Sequence, residues 1–275
     1  MLLPRLITAV IGVPLVLLAI YWGGIPFLLL MFGVVFLALR EYYILAGQGK
    51  YGAQPVIGTV VGMVLFLSIF MNATRLGPAA ENQGTPAILT LLLLPIFARE
   101  MLRRDVQRAI ERLAVTFFGA FFIPWTLGHL LLIRTLRPYG MQYIYFLFIV
   151  IWMLDTGAYA IGRRFGRRSL ASVISPKKTL EGAIGGVATG IITAVICRSL
   201  FLKEAMGVFE AIMLGLFIAV IAQFSDLAES LLKRDVGVKD SANLLPGHGG
   251  MLDRFDSFLF TAPLLYYYLT IFKGF

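Results

Sequence analysis

Nine apolar runs leave this chain little choice of architecture. They occupy approximately residues 6–22, 26–39, 55–72, 86–98, 113–133, 142–162, 180–200, 208–230 and 252–272. A helix needs about 20 apolar residues to cross a hydrocarbon core, and most of these runs provide them. The runs at 26–39 and 86–98 are short, but Arg40 and Arg99 beside them can snorkel to the interface, or the bilayer can thin locally. In lipid every backbone group must be satisfied within its own segment, so runs of this length predict helices. The composition excludes a soluble enzyme: 59% of residues are hydrophobic and 14% charged, against roughly 45–50% and about 25% in globular proteins. The expected fold is therefore all-α, a polytopic membrane bundle of about nine transmembrane helices. Leu6–Trp22 follows Arg5 and lacks a small-x-small cleavage site, so it is expected to be a retained helix rather than a signal peptide.

The net charge of +9 would suggest nucleic acid in a water-soluble protein; here its distribution indicates membrane orientation instead. With a cytoplasmic amino terminus, the cytoplasmic connections hold Arg5; Arg40 and Lys50; Arg99, Arg103, Arg104, Arg108 and Arg112; Arg163, Arg164, Arg167, Arg168, Lys177 and Lys178; and Lys233, Arg234, Lys239 and Arg254. Only six of the 24 basic residues fall on the other side. The positive-inside rule supports this count and this orientation. It also places the two most polar connections, 163–179 and 230–256, in the cytoplasm.

Little in the first half suggests chemistry. Gly23-Gly24 allows only a tight membrane hairpin, and Tyr42, Tyr43 and Tyr51 read as interfacial aromatics. In 99–112, Leu102, Val106 and Ile110 recur every four residues with arginines on other faces, the pattern of a basic interfacial helix; the alternative, which carries more weight, is simply a positive-inside loop. His129 and Cys197 lie in apolar runs and read as packing residues; a single cysteine forms no intramolecular disulfide.

The second half differs. Asp155 lies seven residues before Gly162, about 10 Å inside the sixth run. A charge at such depth costs about 2.5 to 3.5 kcal/mol, which makes it a functional candidate. Asp226 repeats the pattern seven residues before Lys233, and Glu229 follows at i+3. The connection Arg163–Thr179 leads into a helix that Ser175 or Thr179 would cap, so that first-turn amides join Lys177 and Lys178 in attracting phosphate. Glu181 would complement the helix dipole or support a lysine. Gly182, Gly186 and Gly190, spaced by four, read as a close helix-packing face. In Ser230–Asp256, Gly247, Gly249 and Gly250 surround His248 and let the backbone approach a phosphate. Lys233, Arg234, Lys239 and Arg254 flank them. Asp253 and Asp256, three apart at the start of the last helix, suit a Mg2+ anchor.

Ser230, Lys233, Arg234, Lys239, Asp240, Pro246, His248, Gly249, Gly250, Asp253, Arg254 and Asp256, in that order, resemble the signature of the phosphatidate cytidylyltransferase family without a mismatch. Asp155–Tyr159, Gly162-Arg163 and Ser175–Gly182 are similar to a second stretch of that family. The resemblance covers the second half of the chain. It implies an inner-membrane bacterial enzyme, homodimeric, that joins CTP to phosphatidic acid among membrane lipids, with no nucleic-acid partner and a cytoplasm-facing site. It divides the chain into scaffold helices, 1–133, and catalytic helices, 134–275.

On this reading Asp226, Asp253, Lys233 and Arg254 are catalytic. Asp226, Asp253 and Asp256 hold Mg2+, with room for a second metal. Lys233, Arg234, Lys239, Asp240, His248, Gly249 and Gly250 bind nucleotide. Ser175, Lys177, Lys178 and Arg254 bind the lipid phosphate, and Asp155, Glu181 and Glu229 support them. Two rivals share some of these residues. A cation- or proton-coupled transporter would use Asp155 and Asp226, but no internal repeat is present. Another CTP-dependent enzyme, such as a lipid kinase, would share the nucleotide logic without the Ser230–Asp256 signature.

Overall fold

A computed structural model describes residues 3–75, 84–239, 241 and 249–275, with side chains over 10–74, 86–239, 241 and 249–275. The chain forms two compact units, Met1–Thr135 with Asp235–Phe255 and Leu136–Arg234 with Asp256–Phe275. Eight of the nine apolar runs each fall within one helix. Six described helices are long and apolar enough to cross a membrane.

The first unit contains α1 (Leu3–Trp22), α2 (Gly24–Gln48), α3 (Pro55–Arg75), α4 (Gly84–Met101), α5 (Ala109–Thr135) and the single turn α9 (Leu252–Phe255). The α1–α2 hairpin is as tight as expected. Gly23 takes φ 61°, a left-handed value costly for other residues. Arg134 donates from Nε to the Ile20 carbonyl (2.8 Å) and from a terminal nitrogen to that of Tyr21 (3.1 Å), satisfying the end of α1.

One expectation fails in this unit, and one pair of alternatives is decided. Tyr42 and Tyr43 are buried rather than interfacial, because α2 continues past Arg40 and turns both rings onto α5. Their hydroxyls donate to the carbonyls of Val115 (2.8 Å) and Thr116 (2.7 Å). Residues 102–108 form an irregular connection, not a basic interfacial helix. The reason is Arg112, whose buried guanidinium binds the Glu100 carboxylate (Nε to Oε1, 2.7 Å) and also the carbonyls of Asp105 (2.8 Å) and Gln107. A helix would have engaged those carbonyls internally.

The second unit contains α6 (Gly140–Phe165), a hairpin of β1 (Ser169–Ala171) and β2 (Ser175–Thr179), α7 (Leu180–Phe201), α8 (Val208–Asp235), and α10 (Phe258–Tyr267), which continues as a π-turn over Tyr268–Phe272. The glycine face of α7 performs the packing predicted for it. A Cβ on Gly186 would stand 3.1 Å from the Leu154 carbonyl and one on Gly182 2.8 Å from that of Ala158, so α6 and α7 approach almost to backbone contact. The antiparallel hairpin was not expected from sequence, and it places Ser175 in a strand rather than at a helix cap.

The run 252–272 is not one helix. Asp256 and Ser257 form a turn between α9 and α10. Ser225 on α8 accounts for this break: its hydroxyl donates to the Asp256 carbonyl and accepts from Phe260 N–H (3.3 Å), backbone groups that an unbroken helix would pair internally.

Candidate active site

In the second unit, the site begins with the hairpin and the first turn of α7. The Thr179 hydroxyl accepts from Gly182 N–H (3.1 Å), the predicted N-cap. The Glu181 Oε2 accepts the N–H groups of Arg167 (2.9 Å) and Arg168 (3.2 Å) and so ties the hairpin to the helix. Arg234 on α8 donates from Nε to the Ile174 carbonyl at the hairpin tip (3.0 Å). Thus clamped, the hairpin directs Lys177 and Lys178 into a cleft of about 530 Å3, lined also by Asp155, Tyr159, Arg163 and Asp226. Lysines facing carboxylates across one cleft can hold an anion and a hard cation side by side.

Four of the five acids expected to be functional in this unit lie in one electrostatic neighbourhood. Asp155, Asp226 and Glu229 each interact by charge with Asp256. The Lys178 ammonium pairs with Asp226, its side chain 30% and that of Asp226 27% exposed. Lys233 pairs with Glu229 at 2.5 Å one turn away on α8, and this pair is nearly sealed, with side chains 10% and 1% exposed. Lys233 is therefore engaged with Glu229, and Arg234 with the hairpin. Among the described residues, no three His, Cys, Asp or Glu side chains converge into a complete metal cage. Mg2+ does not require one, since it is usually held by one or two carboxylates together with water and phosphate oxygens.

In the first unit, the signature closes on itself around two carboxylates. Gly249 has φ 76°. Asp253 Oδ2 accepts from Gly250 N–H (2.7 Å), Ser241 N–H (3.1 Å) and the Ser241 hydroxyl (2.9 Å). Beside it lies Glu41 of α2, fully buried. Its Oε1 accepts from Met251 N–H (2.7 Å), and its Oε2 from Leu252 N–H (2.8 Å) and the Ser241 hydroxyl (3.0 Å). Lys239 and Arg254 are exposed. Asp240 and His248, expected to bind nucleotide, lie outside the described residues.

The residue that sequence reading missed is Glu41. Its one signal was a carboxylate following Arg40 at the end of an apolar run, and this looked like the start of an ordinary polar connection.

Residues 3–272 match the model of the cytidylyltransferase family. Over 270 residues the chain is 34% identical to a phosphatidate cytidylyltransferase of Bacillus subtilis, with 98% of each chain covered. A phosphatidate cytidylyltransferase of Synechocystis is 33% identical over 288 residues, covering 97% of this chain and 96% of the other. One from Staphylococcus epidermidis is 31% identical over 262 residues, covering 95% and 96%. The match extends well beyond the signature into the apolar first half, and the chain belongs to the cytidylyltransferase family.

Proposed function

We propose that this integral membrane enzyme converts CTP and phosphatidate to CDP-diacylglycerol and pyrophosphate at the cytoplasmic face of a bacterial inner membrane. The observation that carries the reading is the cleft in the second unit, where Lys177 and Lys178 face Asp155 and Asp226. A phosphate-bearing lipid needs cationic groups at membrane depth, and α6, α7 and α8, which bear the cleft, are each able to span a bilayer. The names of the Bacillus and Synechocystis relatives supply the substrates. The distribution of basic residues supports the orientation.

In this reaction a phosphate oxygen of phosphatidate attacks the α-phosphorus of CTP in line. The new P–O bond forms as the bond to the bridging oxygen breaks, and that oxygen leaves with pyrophosphate. The attacking phosphate monoester is already anionic near neutral pH, so no side chain need remove a proton. The work of the protein is to position two anions against each other and neutralise their charge. Lys177 and Lys178 hold the lipid phosphate.

The donor set fits a divalent cation. Asp155, Asp226 and Glu229 all repel the charge on Asp256, and a cation is what relieves that crowding. Asp226 and Asp256 would hold Mg2+, which would supply charge neutralisation on the triphosphate.

The test is pyrophosphate release, with CDP-diacylglycerol identified by mass spectrometry, from purified protein in detergent given Mg2+, CTP and phosphatidic acid. Product is expected only when both substrates are present. Asp226→Asn should reduce turnover by about 100-fold or more, since oriented charge in such sites is worth several kcal/mol. No product with CTP or any other nucleotide would refute the assignment.

A further inference from the structure

We propose that Glu41 is a positioning residue for nucleotidyl transfer. Its carboxylate sets the Gly250–Leu252 turn of the signature and, through that turn and Ser241, the placement of Asp253 and Arg254. The proposal rests on the function proposed above and adds to it a residue from the half of the chain where the signature has no counterpart.

Three observations support it. First, Glu41 is 0% exposed, and among the described residues its three hydrogen-bond donors all belong to the signature segment: Met251 N–H, Leu252 N–H and the Ser241 hydroxyl. A buried carboxylate is costly unless several donors meet it, and these donors come from 200 to 211 residues away in sequence.

Second, the segment is closed against Glu41 so tightly that a Cβ at residue 250 would have to displace the groups around it. Any Cβ there would strike both Ser241 Oγ and Glu41 Oε2. Third, the Ser241 hydroxyl lies between Glu41 Oε2 (3.0 Å) and Asp253 Oδ2 (2.9 Å), so its single proton is shared between the two carboxylates. Gly250 N–H serves Asp253 while the next two N–H groups serve Glu41. Moving either carboxylate moves the other.

A mere stabiliser of α9 would be an expensive device for a helix of four residues. As the clamp of a loop bearing reactive groups it has a clear use, because displacement of a catalytic group by about 1 Å can cost 100-fold in rate.

The test uses Glu41→Gln in the full-length protein. Gln keeps the size of the side chain but presents an NH2 group to an amide donor. With kcat normalised to folded protein, the expected result is a fall of about 10- to 100-fold, with KM for CTP and for phosphatidate each within about threefold of wild type. Hydrogen exchange of the Gly250–Leu252 amides should rise at the same time. Should this variant not fold, Ser241→Ala removes only the shared hydroxyl. It is expected to lower kcat about three- to tenfold, of the order of one hydrogen bond, with the same local loss of protection.

A normalised kcat within twofold of wild type overturns the assignment. So does a lower kcat with unchanged exchange at 250–252. A wild-type protein that releases no pyrophosphate from CTP and phosphatidate refutes the proposed function instead. In that case the exchange measurement still decides whether Glu41 holds the turn.

Discussion

Replacing Lys233 with Met should destabilise the second unit through Glu229. The two side chains are 10% and 1% exposed and meet at 2.5 Å, so removing the ammonium takes a close charge partner from a buried carboxylate. Breaking a buried pair on one side costs about 3 to 5 kcal/mol. At about 2 to 4 °C per kcal/mol for chains somewhat shorter than this one, the melting temperature in detergent should fall by about 6 to 20 °C. The double variant Lys233→Met/Glu229→Leu removes the buried carboxylate as well and should recover most of the loss, since apolar replacements of buried pairs are often neutral. The same pair of variants separates the two roles open to Lys233. Thermal unfolding reads the ion pair, while the KM for CTP in the stable double variant reads any contact with nucleotide. A single variant melting within about 2 °C of wild type, or a double variant no better than the single, would refute the reasoning.

Two further outcomes follow from groups outside the apolar cores of the spans. Thr179→Val removes the cap of α7 at a cost of about 1 kcal/mol; it should lower the melting temperature by about 2 to 4 °C and raise the KM for phosphatidate, because the hairpin carrying Lys177 and Lys178 is seated on that turn. Burial works against the Glu100 anion, but hydrogen bonds from Arg112 and Gln54 and the charges of Arg103 and Arg112 outweigh it, so its pKa lies below the ordinary carboxylate value. A carboxyl group with a depressed folded-state pKa contributes its full stability above the unfolded value of about 4.3 and loses it as the pH falls through the folded value. Melting curves of wild type and Glu100→Gln should therefore differ by a constant amount from pH 8 to pH 5 and converge below about pH 4.3. A constant difference throughout would count against this account.

What was legible in the sequence was local or periodic. The apolar runs predicted the helices because in a bilayer no other backbone arrangement is available to segments of that length. Thr179 was readable as a cap because a cap bonds three residues ahead. The glycines at 182, 186 and 190 were readable because their spacing is that of a helix face. Glu41 was not, since a carboxylate satisfied by amides some 210 residues later leaves no pattern near itself. The arginine-rich stretch at 99–112 was ambiguous for the opposite reason: its four-residue spacing is real, but the demand of buried Arg112 for two loop carbonyls overrides it. The hairpin was hidden because strands of three and five residues are too short to show alternation.

The bonds between Glu41 and the amides of Met251 and Leu252 also bear on biosynthesis. During translation Glu41 leaves the ribosome 210 residues ahead of the first of those amides. At about 5 to 20 residues per second, that is a delay of roughly 10 to 40 s. Throughout it the carboxylate must remain hydrated, because nothing yet made replaces the water it gives up in the finished protein. The amino-terminal helices are thus inserted early but completed late. A gene cut after Thr135 would give a first fragment that carries this acid and lacks the segment that covers it. Assembly of the two fragments would require residues 235–255 to be supplied in trans.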